Sequence, residues 1–348
     1  SVLFLYLTMR LIKAFGMVLM IIIFASCKDE GISTIGRYIS EDDTAYSADI
    51  ISASKKINAD PENAELYYLR GNAFYFLDQF SDAEIDFSTA IKLDSFNALY
   101  NYKLGDCILN MDTSNSLRAM GHLENALLIK PNYYEAMNAL STLYIARQDY
   151  DEADDLLKKL SSNVDFSDQA WILRGIIKKE QKDTAAALAM MERALQINPS
   201  NVDAASQIAN IFLVQQNPLA KSYYKKVLAL DQFNYDAYYH LGLIAQNAGD
   251  YDEADKLYNQ VKSLKRDYVF AWYNLAVVYL LKGDWSDAME HAEQVVTYNP
   301  DHDNAWALQG YIYEQKGELG KAKDLYEKAL GINPNNKKAA EGLASITP

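Results

Sequence analysis

Residues 269–302, VFAWYNLAVVYLLKGDWSDAMEHAEQVVTYNPDH, and residues 303–336, DNAWALQGYIYEQKGELGKAKDLYEKALGINPNN, align over 34 positions without a gap. Trp272 and Trp306 share a column, as do Ala276 and Gly310, Ala288 and Ala322, and Pro300 and Pro334. Gly249, Gly283 and Gly317 extend the spacing upstream, and Ala254 and Gly242 fall on it as well. A fixed period of this length, with one glycine midway, marks a helix, a tight turn and a second helix, stacked in series. The expectation is an all-α protein in which each unit buries its apolar face against the next.

The register divides residues 64–336 into eight units. Residues 64–97 carry Tyr67, Gly71, Phe74, Ala83, Phe87 and Ala90. Residues 98–133 carry Gly105, Ala119, Ala126 and Pro131, with two extra residues near Met111–Ser114. Residues 134–167 carry Leu140, Tyr144, Ala153 and Leu157, and residues 168–201 carry Trp171, Gly175, Ala187, Ala194 and Pro199. Residues 202–234 are one residue short, with Pro218 in the turn, and residues 235–268 carry Tyr238, Leu241, Gly242, Ala254 and Tyr258. A lone helix over Tyr46–Asn58, within 44–63, caps the front of the array. A solvating helix over Lys337–Ile346, within 337–348, caps its end.

Packing explains the pattern. Small residues at positions 8, 20 and 27 let two helices approach closely, and bulky residues at positions 4, 11 and 24 fill the gaps. Proline after the second helix stops it. Gly249, Gly283 and Gly317 supply a left-handed residue at the end of the first helix. The Asp-Tyr-Asp-Glu-Ala runs at 149–153 and 250–254 start second helices with capping aspartates and first-turn acids.

This pattern resembles the tetratricopeptide repeat. The resemblance implies a right-handed superhelical α-solenoid over residues 44–348. It also implies that positions 2, 5, 6, 9, 12 and 13 of each first helix line a concave, partner-binding face. In the first unit these positions include Tyr68, Asn72 and Tyr75; in the third, Asn138 and Thr142; in the fifth, Ser206 and Asn210. The sixth offers Tyr239, His240, Leu243 and Gln246. The seventh offers Phe270, Tyr273, Asn274, Val277 and Leu280, and the eighth Tyr311. Asn72, Asn210 and Asn274 are available for the carboxylate clamp known in this family, but its Lys and Arg partners are mostly missing, with Lys179 nearly alone. Chaperone-tail binding is therefore rejected. The aromatic and aliphatic character of residues 235–315 points instead to an extended or helical peptide segment of a partner protein, since rigid aromatics dominate binding hot spots.

The first 26 residues read differently. Met9, Arg10 and Lys13 precede an apolar stretch from Ala14 to Ala25, a charged region followed by a short apolar one. That is the layout of a secretory signal, and the stretch is short for a membrane span. Ser1–Thr8 lie upstream of a start at Met9. Phe24-Ala25-Ser26-Cys27 resembles a bacterial lipobox, with Phe24 where leucine is usual; the resemblance implies lipidation of Cys27. An ordinary signal peptide with a chance cysteine is the alternative. Lys28-Asp29-Glu30 resembles the surface-export tag of Bacteroidota lipoproteins, with a solvated acidic linker as the alternative. Residues 27–43 read as a flexible tether. The implied location is the bacterial envelope, at the outer membrane, held by the lipid.

Composition limits function. Half of the residues are hydrophobic and only 7 of 348 are proline, so the chain is not a disordered one. A net charge of −14 disfavours nucleic acid, whose phosphates need a basic footprint. Cys107, the second of two cysteines, sits on an expected buried helix face as a small apolar residue. His122, His240, His291 and His302 have no zinc spacing, and no phosphate-binding loop or dinucleotide glycine pattern is present. No catalytic residue, metal ligand or cofactor is assigned. The expectation is a non-enzymatic scaffold or adaptor gathering protein partners, in secretion, outer-membrane assembly or assembly of envelope complexes. A surface protein that captures glycans or nutrients, with tyrosines such as Tyr68, Tyr75 and Tyr311 stacking on sugars, and a regulator of an envelope hydrolase are the competing readings.

Overall fold

The computed structural model describes residues 41–111 and 115–347. Residues 1–40, which include the expected signal, Cys27 and most of the tether, lie outside the described residues, as do residues 112–114 of the expected insertion. Among the described residues there are eighteen α-helices and no strand, so the fold is an all-α solenoid. No helix among them is long and apolar enough to cross a membrane.

The described residues divide into two compact units between Ile197 and Asn198, after the second helix of the fourth repeat. The first unit holds α1 (Glu41–Ala59), α2 (Ala64–Phe76), α3 (Phe80–Leu93), α4 (Ala98–Met111), α5 (Ser116–Ile129), α6 (Tyr134–Arg147), α7 (Tyr150–Leu160), α8 (Ser167–Glu180) and α9 (Thr184–Ile197). The second holds α10 (Val202–Val214), α11 (Leu219–Leu230), α12 (Tyr235–Asn247), α13 (Tyr251–Leu264), α14 (Val269–Lys282), α15 (Trp285–Tyr298), α16 (Asp303–Gln315), α17 (Leu319–Ile332) and α18 (Lys337–Ile346). Within each unit every helix packs on the next, the arrangement of stacked hairpins. α1 begins at Glu41, inside the stretch read as tether, so the leading helix is longer than its apolar core demands.

One interlock repeats. Gly71 faces Phe87, Gly105 faces Leu123, Gly175 faces Met191, Gly242 faces Tyr258 and Gly310 faces Tyr326. Each pair joins position 8 of the first helix to position 24 of the second, and each bulky partner is buried. A Cβ on these glycines would lie 2.6–3.0 Å from its partner's side chain, so the first helix can approach only as a bare backbone. In the seventh repeat Ala276 meets Ala292, and the carbonyl of Ala292 accepts a hydrogen bond from Nε2 of Gln309 at 3.0 Å. That bond explains a glutamine at the position that Leu140, Leu241 and Leu275 occupy in other repeats, because a buried amide must find a partner.

Trp272 Nε1 donates to the carbonyl of Arg266 at 2.7 Å, and Trp306 Nε1 to that of Pro300 at 2.8 Å. These tryptophans fasten each first helix to the loop that precedes it, so they are structural. The turn between helices also recurs. Gly249, Gly283 and Gly317 have φ of +78°, +82° and +77°. The same position is occupied in other repeats by Asp78, Gln148, Lys182 and Gln216, whose φ values run from +54° to +69°. The left-handed turn is thus set by the stacking, and the sequence meets it with glycine in three cases only. Asp250 caps α13 by accepting the Glu253 N–H at 3.3 Å. Asp149 was expected to cap α7 in the same way; instead its Oδ2 pairs with Nε of Arg147 at 3.0 Å and its side chain makes no capping bond. A neighbouring guanidinium outcompetes a backbone amide for the carboxylate. Cys107 is fully buried as expected, and burial pushes its thiol up to about 12.

Candidate partner-binding groove

In the second unit, three first helices stand side by side: α14, α16 and α18. Tyr273, Val277 and Leu280 of α14, Ala307, Leu308 and Tyr311 of α16, and Gly342 and Ser345 of α18 line a trough of about 440 Å³. Asn304, Glu314, Lys338 and Glu341 also border it, and the Tyr326 ring lies in its wall. The lining is periodic: Tyr273, Ala307 and Glu341 are 34 residues apart, as are Val277, Tyr311 and Ser345. Equivalent positions on alternate helices face one space because the repeats stack in register. The floor is aliphatic and the rim polar, the composition of a site that anchors apolar side chains and fixes their orientation.

Two hydrogen bonds hold the wall. Tyr326 Oη donates to Glu314 Oε2 at 2.6 Å, and Ser345 Oγ donates to Oε1 of the same carboxylate at 3.0 Å. Burial, then the hydrogen bond to Glu314 and its charge, holds the Tyr326 hydroxyl well above its ordinary pKa, so it stays a donor. A side chain on Gly342 would collide with the Tyr326 ring, so only glycine lets α18 close this end. At the helix starts, Asp303 Oδ2 accepts from Nδ2 of Asn333 at 2.6 Å and from Nδ2 of Asn336 at 2.8 Å, tying α16 to the start of α18.

Of the expected groove residues, Tyr273, Val277, Leu280 and Tyr311 meet in this trough. The others lie elsewhere. Tyr239 and Leu243 pack on the buried group of Ala245, Tyr258 and Leu275. Tyr239 Oη accepts from Nδ2 of Asn274 at 3.3 Å, so this asparagine is engaged rather than free. Asn210 is likewise engaged, accepting from Tyr224 Oη at 2.6 Å. Both amides are thus taken up by tyrosine hydroxyls, Asn210 by that of buried Tyr224 and Asn274 by that of half-buried Tyr239. His240 stacks on Tyr224 at 5.0 Å, and burial lowers its pKa. Phe270 is 56% exposed and stands 5.6 Å from the Tyr268 ring.

In the first unit, Tyr68 stacks on Tyr100 at 5.3 Å. Tyr75 Oη donates to Asp106 Oδ2 at 2.7 Å and accepts from Nδ2 of Asn110 at 2.9 Å. Asn72 and Asn138 each bury Oδ1 with no hydrogen-bond partner. The end helix expected over Lys337–Ile346 forms as α18, but its part in lining the trough was not expected of a solvating cap. The signal was present: Lys338, Glu341, Gly342 and Ser345 continue the register of Asn304, Ala307, Leu308 and Tyr311 by one more step.

Among the described residues no group of His, Cys, Asp and Glu could hold a metal ion.

Sequence profiles described as tetratricopeptide repeat match residues 64–97 and 168–201, 116–177, 223–256 and 273–337, together more than half of the chain. Protein NPGR1 of Arabidopsis thaliana is 28% identical over 127 residues, 36% of this chain and 18% of that protein. Tetratricopeptide repeat protein 37 of Xenopus laevis is 25% identical over 224 residues, 62% of this chain and 14% of that one. The chain therefore spans less than a fifth of either relative. The crystal structure of the C-terminal part of a TPR repeat-containing protein from Cytophaga hutchinsonii superposes with a TM-score of 0.55 at 20% identity, over 70% of this chain and 99% of that one. The period, the interlocked hairpins and these matches agree, and the chain belongs to the tetratricopeptide repeat family.

Proposed function

We propose that this chain is a non-enzymatic scaffold that grips a segment of a partner protein in the trough between α14, α16 and α18. We further propose that a lipid on Cys27 holds it at a bacterial envelope membrane, the outer one. Repeat solenoids offer extended concave surfaces for binding. The observation that carries the reading is the trough itself, where aliphatic and tyrosine side chains come from equivalent positions of three alternate helices, α14, α16 and α18. The lipid anchor is supported by the resemblance of Phe24-Ala25-Ser26-Cys27 to a lipobox. Two or more acyl chains give firm attachment where one gives marginal attachment.

The test is co-purification from envelope extracts with the double variant Tyr273→Ala, Tyr311→Ala. Loss of two aromatic anchors should lower partner affinity at least about tenfold while the helical fold survives. Unchanged recovery would defeat the groove reading. Failure of Cys27→Ala to abolish incorporation of a labelled fatty acid would defeat the anchor reading independently.

One observation favours a second reading. Tyr239, Tyr268 and exposed Phe270 form a ring cluster with centroids 5.3–6.4 Å apart, a surface on which sugars could stack. Glycan-array binding that Phe270→Ala removes would support capture of glycans.

A further inference from the structure

We propose that His302 makes the trough acid-sensitive: protonating its ring removes the cap of α16 and loosens the wall that carries Asn304 and Ala307. This rests on the trough being the binding face, and it adds a control to it.

The geometry is specific. His302 is the N-cap of α16, and its Nδ1 accepts the Ala305 N–H at 3.2 Å. At three other helix starts of this unit the same bond is made by asparagine, which accepts the N–H of the third residue on: Asn201 from Ala204, Asn234 from Ala237 and Asn336 from Ala339, each at 2.9 Å. An amide oxygen accepts at every pH. An imidazole nitrogen accepts only while unprotonated. A protonated His302 loses the capping bond and leaves a cation at the positive end of the helix. The ring also stands 5.1 Å from that of Tyr273, a trough residue on α14, so the cap and the binding surface are in contact.

Tyr273 is the titratable group that faces the ring from α14. On α16 the neighbouring charge is Asp303, which favours the proton, but its carboxylate is occupied by the amides of Asn333 and Asn336 from the turn before α18. Burial outweighs both a hydrogen bond from the protonated ring to the backbone of His302 and the charge of Asp303, and the pKa of His302 lies below its ordinary value of 6.5. The sign follows. The unfolded chain binds the proton more readily, so the cap is complete above about pH 6.5 and is lost as pH falls through the lowered value. His122, His240 and His291 are also held down by burial, so the test must separate His302 from general acid destabilisation.

Amide hydrogen exchange on the full chain at pH 7.5 and pH 5.0, corrected for intrinsic rates, makes that separation. The first turn of α16 (305–307) is compared with the first turn of α18 (339–341), which Asn336 caps. The α16 turn should lose about three- to tenfold more protection than the α18 turn on acidification, the size of one lost cap. His302→Asn should abolish the difference. His302→Asp, whose carboxylate caps across this pH range, should do the same and serves if the first variant folds poorly. Equal losses in wild type, or an undiminished difference in both variants, would overturn the proposal. Partner recovery supplies a second readout. It should fall at pH 5.0 with wild type and hold with His302→Asn. An exchange difference without a change in recovery would overturn acid control while sparing the groove. No recovery at either pH, with the exchange difference intact, would sink the groove reading and with it the control of binding, leaving only the cap.

Discussion

Gly242→Ala should destabilise the second unit, and the structure gives the size. A Cβ there would lie 2.6, 2.8 and 3.0 Å from three ring atoms of Tyr258. The ring is fully buried, and its hydroxyl donates to Gln246 Oε1 at 2.8 Å, so it has nowhere to retreat without losing a bond. Overpacking of this kind costs about 1–3 kcal/mol. Removing a glycine from a helix interior returns roughly 0.5–1 kcal/mol. The net loss centres near about 1.3 kcal/mol, which lowers the melting temperature by roughly 3–5 °C for a unit of this size. Gly121→Ala is the matched control. Gly121 lies inside α5, and a Cβ there meets nothing within 4 Å, so only the helix-propensity gain remains and stability should rise. Thermal and urea unfolding followed by circular dichroism reads both, with the urea slope checked because stacked repeats can lose two-state behaviour. A Gly242→Ala protein as stable as wild type, or stabilised like Gly121→Ala, would refute the interlock as the reason for glycine at position 8.

The turn position gives an opposite pair. Gln148→Gly and Lys182→Gly should each stabilise by about 0.5–1 kcal/mol, since a left-handed backbone strains a side chain; Gly283→Ala should cost about 1 kcal/mol, and urea midpoints check all three. Cys107, buried with its thiol pushed up to about 12, should resist a maleimide reagent at pH 7 in the folded protein and react once it is unfolded in urea; rapid native labelling would contradict the packing described here.

Much of the fold was legible because it depends on spacing. Trp272, Gly283 and Pro300 recur in the next repeat at the same distance, and a hairpin that must stack on a copy of itself cannot change its length freely. What the sequence concealed is what depends on competition between neighbours. Asp149 looks like Asp250, yet Arg147 takes its carboxylate. Asn210 and Asn274 look like free groove amides, yet tyrosine hydroxyls from adjacent helices engage them. Asp78, Gln148, Lys182 and Gln216 carry no outward mark of a left-handed backbone, because tertiary packing imposes it. The site was half readable. Tyr273, Val277, Leu280 and Tyr311 came from the periodic positions, whereas the α18 wall was missed because a terminal helix was expected to face solvent. The cap at His302 needed coordinates, since histidine is not among the favoured capping residues.

The central claim is that a partner polypeptide lies in the trough of the second unit. Site-specific photo-crosslinking in cells tests it most directly, with the reactive group placed at Tyr311 in the trough and, separately, at exposed Lys256 on α13. The account predicts a discrete crosslinked polypeptide from position 311 that is absent from position 256 and is displaced when Leu280→Arg is added to the 311 probe. Equal crosslinking from both positions, or adducts from 311 that Leu280→Arg leaves untouched, would contradict it.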